Sequence, residues 1–356
     1  MEIRIKGDGM IRVAFDPQLE AINKAYIRFF CNDKDIKFTF LSKPQWCQKK
    51  NFMIFRMIYF FIKSFFQFAR GKYDLVHINS ATLGFAAYMA SFFKCRYIYT
   101  IHGSPHPKLE NSEGGRVAIM FLISRHLMNF VARRAEKIYA ISKFTQQELW
   151  DDYNINSQVI YNGVDIYITD AKKVANIKKK YKLENKICIL SVGRMIEYKH
   201  PFDTVRLFAN IKKKYPNIIL IMIGSGILKE KVQKLVDECK LSKDVIIIDR
   251  VEYSEMPNWY TVADYFTIGS EVEGFGLVAL EAVAYGCIPI LPKAGAFKEL
   301  FNDKFLYDKK NINELVLPKI SEEEKEYLKK IPQRYSWNNA INCYKREYLL
   351  LTGECK

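Results

Sequence analysis

The chain has 356 residues, more than one ordinary core accommodates, so two domains of roughly 150 to 180 residues are expected. Apolar residues make up 49% of it and are spread along its length, which excludes a disordered chain. A formal net charge of +16 asks for an anionic partner.

No stretch reads as a membrane-spanning helix. Residues 51–69 and 118–132 come nearest, but Arg56 and Lys63 interrupt the first, and Arg125 and His126 the second. Met1 is followed by Glu2, Arg4 and Lys6 with no apolar run behind them, so no secretory leader is expected there. The eight cysteines form no CxxC pair and read as reduced, mostly buried thiols of a cytosolic protein. Five isolated histidines carry no metal pattern.

In chain order, short β-branched runs alternate with longer amphipathic stretches, the pattern of parallel strands joined by helices. The fold class is therefore α/β. Strands are expected near 11–15 (IRVAF) and 36–41 (IKFTFL). Residues 36–73 then carry eight Lys or Arg, no Asp or Glu, and aromatics that include Trp46, Phe61, Phe65 and Phe66. Rings at a bilayer interface and cations on its phosphates make Lys49, Lys50, Arg56 and Lys63 candidates for an anionic membrane surface. The same stretch also suits a buried helix with a solvated edge, or RNA, although no nucleic-acid motif supports the last. Further strands are expected near 74–78, 96–101, 137–141 and 158–161, and after a Lys-rich helix at 171–182 near 187–192, 218–223, 245–249, 265–268 and 288–291. We place the domains at 1–170 and 171–334, followed by a helix at 335–356. Ligands of doubly wound sheets bind at the carboxyl ends of the strands, and a cleft between the halves is the expected site.

Two motifs carry chemistry. In SEVEGFGLVALEAVAYG (270–286), Gly274 and Gly276 form a turn from a strand into a helix, whose first amides suit a diphosphate. Glu273 and Glu281 bracket that turn, and a carboxylate can accept two sugar or ribose hydroxyls at once. Spacing alone also fits a helix-start Glu and a solvated helix Glu. In SVGRMIEYKHP (191–201), Arg194 and Lys199 stand at a strand-to-helix turn, suited to the negative charge of a departing diphosphate. Taken singly, such cations are ordinary surface residues.

With their flanking wording, Glu273 and Glu281 resemble the E-x7-E signature of the family-4 retaining glycosyltransferases. That resemblance implies the GT-B fold, two Rossmann-like domains facing each other across a cleft, the first for acceptor and the second for the nucleotide-sugar. It implies that Glu281 holds the ribose, that Glu273 lies by the transferred sugar, and that amides of Gly274, Phe275, Gly276 and Leu277 meet the sugar and distal phosphate. Arg194 and Lys199 resemble the cations that stabilise the leaving diphosphate in place of a metal. IGSG (223–226) is similar to the family's Gly-rich turn, so Gly224 joins the donor set, and Arg250 and Val251 fall where main chain meets the nucleobase. In TIHGSPH (100–106), His102 resembles the histidine that faces the donor sugar. AISKFTQQEL (140–149) and VIYNGVD (159–165) resemble motifs closing the first domain, and YSW (335–337) the start of a helix crossing back onto it. His200 stands where a Gly is common, and FDPQLE (15–20) replaces a Gly-rich loop.

The function this implies is retaining transfer of a hexose from a nucleoside-diphosphate sugar, with UDP expected, to a glycan or lipid-linked acceptor of bacterial surface polysaccharide or glycoconjugate synthesis. No cofactor or metal is expected, the leaving phosphate itself taking the acceptor's proton. The expected location is cytoplasmic, peripheral on the inner face of the membrane. A GDP-mannose donor is the alternative. A dinucleotide oxidoreductase would need GxGxxG in its first turn, which is missing. A basic nucleic-acid-binding protein would explain the charge but not the two-glutamate block.

Overall fold

The computed structural model describes residues 10–16, 20–31, 33–41, 53–70, 73–103 and 115–353. It contains two units, the first running to Asn162 and resuming at Trp337, the second spanning Gly163–Ser336.

In the first unit, β1 (Ile11–Phe15), β2 (Ile36–Phe40), β3 (Leu75–Ile78), β4 (Tyr97–Ile101), β5 (Ile138–Ala140) and β6 (Gln158–Val159) form one sheet in the order β2-β1-β3-β4-β5-β6. All its pairings are parallel. Every residue of β3 and β4 is buried, which is why these strands read as continuous apolar runs rather than alternating ones. Helices Met53–Ala69, Ala81–Ser91 and Gly115–Ala132 cover one face, packing Phe60, Phe68, Leu83 and Val131 into the core.

The helix Trp337–Thr352 belongs to this unit and is tied to it by buried polar contacts. Tyr348 Oη lies 2.6 Å from His77 Nδ1, whose Nε2 is 2.7 Å from Thr100 Oγ1. Thr100 Oγ1 is in turn 3.0 Å from Tyr344 Oη. Burial pushes the His77 imidazole down to about 3, so it is neutral. Lys137 and Tyr139 both donate to Glu347, at 2.6 and 2.7 Å. Lys345 bridges Asp33 and Asp35 at 2.6 and 2.8 Å.

In the second unit, β7 (Ile187–Val192), β8 (Ile218–Ile223), β9 (Val245–Ile248), β10 (Tyr265–Thr267), β11 (Ile288–Pro292) and β12 (Leu306–Tyr307) run in the order β12-β11-β10-β7-β8-β9. Its pairings are also all parallel. The strand order diverges in opposite directions from β7 and β10, which makes the carboxyl ends of those two strands the switch point of the sheet.

Every strand expected from the sequence forms, and β12, only two residues long, is the addition. Residues 163–170, assigned from sequence to the first half, group instead with the second unit. They are held there by Tyr167 N donating to Tyr285 Oη at 2.7 Å and by Asp170 N donating to Asn258 Oδ1 at 2.9 Å. Tyr335 and Ser336 go with them, because Val164 N donates to Tyr335 O at 2.8 Å. Lys49 and Lys50 lie outside the described residues, as does the side chain of Arg56, while Lys63 sits half-buried on the helix Met53–Ala69. Among the described residues no helix is long and apolar enough to cross a membrane.

Replacing Tyr348 by Phe leaves the buried His77 Nδ1 without its partner, a loss of about 1–3 kcal/mol. The expected outcome is a lower denaturant midpoint for the first unit, followed by near-ultraviolet circular dichroism.

Candidate functional site

A parallel sheet delivers every loop that follows a strand to one edge, so residues far apart in sequence meet there. In the second unit, Arg194 follows β7, Gly224 follows β8, Arg250 and Val251 follow β9, and Glu273 follows β10. Lys199 Nζ donates to Glu273 Oε2 at 2.7 Å, joining the loops of the two switch-point strands. Arg194 is exposed, with its guanidinium hydrogen-bonded to the Tyr198 hydroxyl. The Tyr198 ring lies under both cations, 5.6 Å from Arg194 Cζ and 5.5 Å from Lys199 Nζ. His200, which stands where a Gly is common, adopts the left-handed conformation with φ 45° and ψ 54°. Its Nε2 is 3.0 Å from Glu271 Oε2, a local contact that offsets the cost of that backbone for a residue with a Cβ.

Gly276 is the N-cap of the helix Leu277–Ala284 at φ 80°, where an added Cβ would stand 2.4 Å from the Phe297 ring. Glycine is required on both counts. Phe275 is buried against Tyr335, ring centroids 5.9 Å apart, so it anchors the turn by its side chain. Gly224 is forced by a close approach instead, since a Cβ there would meet Gly193 O at 1.9 Å and push the β7 and β8 loops apart. Arg250 is exposed, and its Nε is 3.9 Å from Glu252.

Glu281 sits one turn inside that helix and accepts from Tyr260 Oη at 2.7 Å and from Tyr253 Oη at 3.3 Å. Desolvation raises its carboxyl above the usual range, while the Tyr260 and Tyr253 hydroxyls act in the opposite direction. Asp165, Tyr167 and Tyr285 complete the pocket around it with Met256 and Pro257. Tyr253 and Tyr260 lie outside both sequence motifs and have no spacing that ties them to Glu281. The pairing is decided by how the turn Tyr253–Glu255 and the helix Met256–Val262 after it pack.

In the first unit, His102 follows β4, and its Nε2 is 2.8 Å from Asn79 Oδ1 at the end of β3. Asn79 is gripped by Asp16, which follows β1: Asn79 N donates to Asp16 Oδ2 at 3.1 Å and Asn79 Nδ2 to Asp16 O at 2.8 Å. Asp16 and Asn79 stand at the switch point of the first sheet, since β1 and β3 are neighbours with β2 on the far side of β1, and His102 follows the next strand, β4. Sequence reading found His102 but neither Asp16 nor Asn79, although each stands immediately after a buried strand. Residues 104–106 of the TIHGSPH motif lie outside the described residues. Among the described residues no group of three or more His, Cys, Asp or Glu is arranged to hold a metal ion.

Two doubly wound units with polar clusters at the carboxyl ends of their switch-point strands define a nucleotide-type α/β enzyme architecture. Comparison with known proteins makes this specific. The model of Glycosyltransferase Family 4 matches residues 33–167, and that of Glycosyl transferases group 1 matches residues 173–336. The chain belongs to the family-4-type glycosyltransferases, with the two-domain GT-B fold. It is 28% identical over 189 residues to the N-acetylgalactosamine-N,N'-diacetylbacillosaminyl-diphospho-undecaprenol 4-alpha-N-acetylgalactosaminyltransferase of Campylobacter jejuni, a match spanning 51% of this chain and 48% of that protein. It is 24% identical over 191 residues to the GDP-mannose-dependent alpha-(1-6)-phosphatidylinositol monomannoside mannosyltransferase of Mycobacterium tuberculosis, spanning 51% of this chain and 50% of that one. The chain thus spans about half the length of these two relatives. In fold it is similar to HepE of Anabaena, solved in complex with UDP-glucose, with a TM-score of 0.71, 17% identity, and coverage of 95% of this chain and 99% of that one.

The raised Glu281 carboxyl has a measurable sign. Its folded pKa lies above the unfolded value, so ionising it costs stability, and the cost sets in as pH rises through the carboxyl range. Glu281→Gln is therefore expected to gain stability relative to wild type as pH rises through and above the ordinary carboxyl range. Thermal unfolding across that range checks this, and a difference independent of pH would mean that the carboxylate is not desolvated.

Proposed function

We propose that this chain is a retaining glycosyltransferase that moves a hexose from a nucleoside-diphosphate sugar, with UDP as the nucleotide, to a glycan or lipid-linked acceptor. The observation that carries this reading is the Lys199–Glu273 pair joining the two switch-point loops, with Arg194 on the same loop as Lys199. The leaving diphosphate takes its charge balance from Arg194 and Lys199, and from the amides that open the helix after Gly276. Once the diphosphate engages Lys199, Glu273 is released to face the transferred sugar. Glu281, oriented by Tyr260 and Tyr253, holds the ribose hydroxyls. Main chain at Arg250 and Val251 meets the base, and Gly224 keeps the neighbouring loop close. In the chemical step the acceptor hydroxyl oxygen bonds to the anomeric carbon as the bond from that carbon to the diphosphate oxygen breaks. The departing diphosphate oxygen takes the hydroxyl proton, so neither a side-chain base nor a metal is invoked. GDP-mannose is the second reading, favoured by the mannosyltransferase relative from Mycobacterium tuberculosis.

The acceptor reading draws on the lipid-linked substrate in the name of the Campylobacter jejuni relative and on the surface of the first unit. Residues 36–109 contain eleven Lys or Arg and one acid, Asp74, which pairs with Arg12 at 2.9 Å. On that stretch Phe66, Phe92 and Phe93 are 53%, 70% and 57% exposed, beside Lys63, Arg70 and Lys94. Phe65 and Phe93 touch, with centroids 6.2 Å apart, so the apolar surface is continuous from the helix Met53–Ala69 to the turn after Ala81–Ser91. Exposed rings ringed by cations complement an anionic bilayer, and we propose that this face docks there.

Two outcomes are expected. In a thermal-shift screen of UDP, GDP and ADP, one diphosphate stabilises the chain by RT ln(1 + [L]/Kd), and Arg194→Ala and Glu281→Ala each abolish the shift. No shift with any diphosphate, or unaltered shifts in both variants, refutes the donor site. In flotation at low salt the wild type rises with anionic but not zwitterionic vesicles, and Phe92→Ser/Phe93→Ser lowers the bound fraction. A wild type that ignores anionic vesicles sinks the membrane reading.

A further inference from the structure

The sheet of the second unit has two edges, and Arg194, Gly224, Arg250 and Glu273 all follow strands at its carboxyl one. At the opposite edge Ile187, Tyr265 and Ile288 open β7, β10 and β11, and against them lies a cavity of about 640 Å³. That volume suits one small organic molecule, for which sites run to ~300–1,000 Å³. Because β7 is six residues long, ~15–20 Å of strand separates this cavity from the loop of Arg194.

The floor of the cavity is apolar. Ala263, Val283 and Leu328 are buried there, and Ile187, Ile288 and Ile320 are half-buried. The helix Glu322–Arg334 closes the outer side by packing on the helix Leu277–Ala284. The rim is cationic, with Lys186 on the strand side and Lys325 and Lys329 one turn apart on the helix Glu322–Arg334. Asp264 is the one acid among the lining residues, and its Oδ2 is already engaged, accepting from Cys188 N at 2.8 Å. Lys325 pairs with Glu322 at 2.6 Å and Lys329 lies 3.8 Å from Glu326, exposed contacts that an incoming anion can displace at little cost. Lys186 makes no ion pair with any described residue.

We propose that this cavity is a second binding site, for a single-chain amphiphile whose apolar tail lies on the isoleucines, Val283 and Leu328 and whose anionic head, phosphate or carboxylate, meets Lys186, Lys325 and Lys329. An apolar tail removes the floor from water, and an anionic head balances a rim on which cations outnumber acids. A nucleotide-sugar does not suit the place, because its hydroxyls would be desolvated against a floor with few polar partners. The site is therefore distinct in ligand as well as in position from the carboxyl edge.

Decyl phosphate, decanoate, decanol and decylammonium, each below its micelle concentration, are titrated calorimetrically into the full chain. Each anion is expected to bind at least ~10-fold more tightly than decanol, and decylammonium more weakly than decanol. The order of the two anions tells a phosphate head from a carboxylate, and either order supports the site. Lys186→Glu/Lys329→Glu alters two exposed side chains and is expected to weaken both anions ~10-fold or more while leaving decanol nearly unchanged. Ala263→Phe puts a ring into the cavity and is expected to abolish binding of the anions and of decanol alike. No binding of either anion, equal binding of all four heads, or anion affinity unchanged in the charge variant overturns the proposal. So does anion binding retained in a folded Ala263→Phe, which would belong to the basic, aromatic face of the first unit instead. If Ala263→Phe does not fold, the charge variant decides.

Discussion

The two sheets depend on a single constraint, that a parallel strand can return to its sheet only through a crossover. Each crossover brings the chain back to begin at the same edge, so all the carboxyl ends gather at the other. Arg194, Gly224, Arg250 and Glu273 are spread over 80 residues and still share one edge, because each follows a strand of the β7–β10 group. At the switch point no crossover covers the space above the two central strands, and there Lys199 meets Glu273. The same constraint in the first unit brings Asp16, Asn79 and His102 together from three strands.

Polar groups at such an edge must be satisfied without filling the space a ligand needs, and the two units do this differently. In the second, cations and carboxylates hold one another provisionally. Lys199 is paired with Glu273 in a partly buried contact and Arg194 with Tyr198 in an exposed one. In the first, the contacts are buried and made by groups with fixed donor and acceptor roles. His77 is enclosed by Tyr348 and Thr100, and His102 is backed by Asn79. Burial depresses both imidazoles, so neither adds to the positive charge of the chain near neutral pH. The clamp of Glu347 and Lys345 on their partners gives the C-terminal helix a role in holding this unit together, since Tyr344 and Tyr348 pack into the wall beside His77.

Glu281 shows what it costs to bury and orient a carboxylate. A carboxylate left in water would carry no penalty, but it would also have no orientation. Tyr260 and Tyr253 orient it, and the burial that permits this raises its pKa, so the fold is less stable with the group ionised. Neither tyrosine was legible from the motifs, because the short turn Tyr253–Glu255 and the helix Met256–Val262 that carry them precede the strand and turn of the Glu273 block.

By itself the sequence determined the class of fold, the strands of both sheets, and the family, through Glu273, Glu281, Arg194 and Lys199. Those features are local: a buried parallel strand is a run of apolar residues, and a tight strand-to-helix turn shows its glycine within a few positions of the charged residues beside it. Gly276 is the clear case: EGFG already marked the turn into a helix, and the structure adds its left-handed backbone. Tertiary structure alone decided which unit residues 163–170 join, and which neighbours orient the functional groups. Tyr260 on Glu281, Asn79 on His102 and Tyr348 on His77 are contacts between distant segments. Register and helix packing set them, and no spacing along the chain encodes either one.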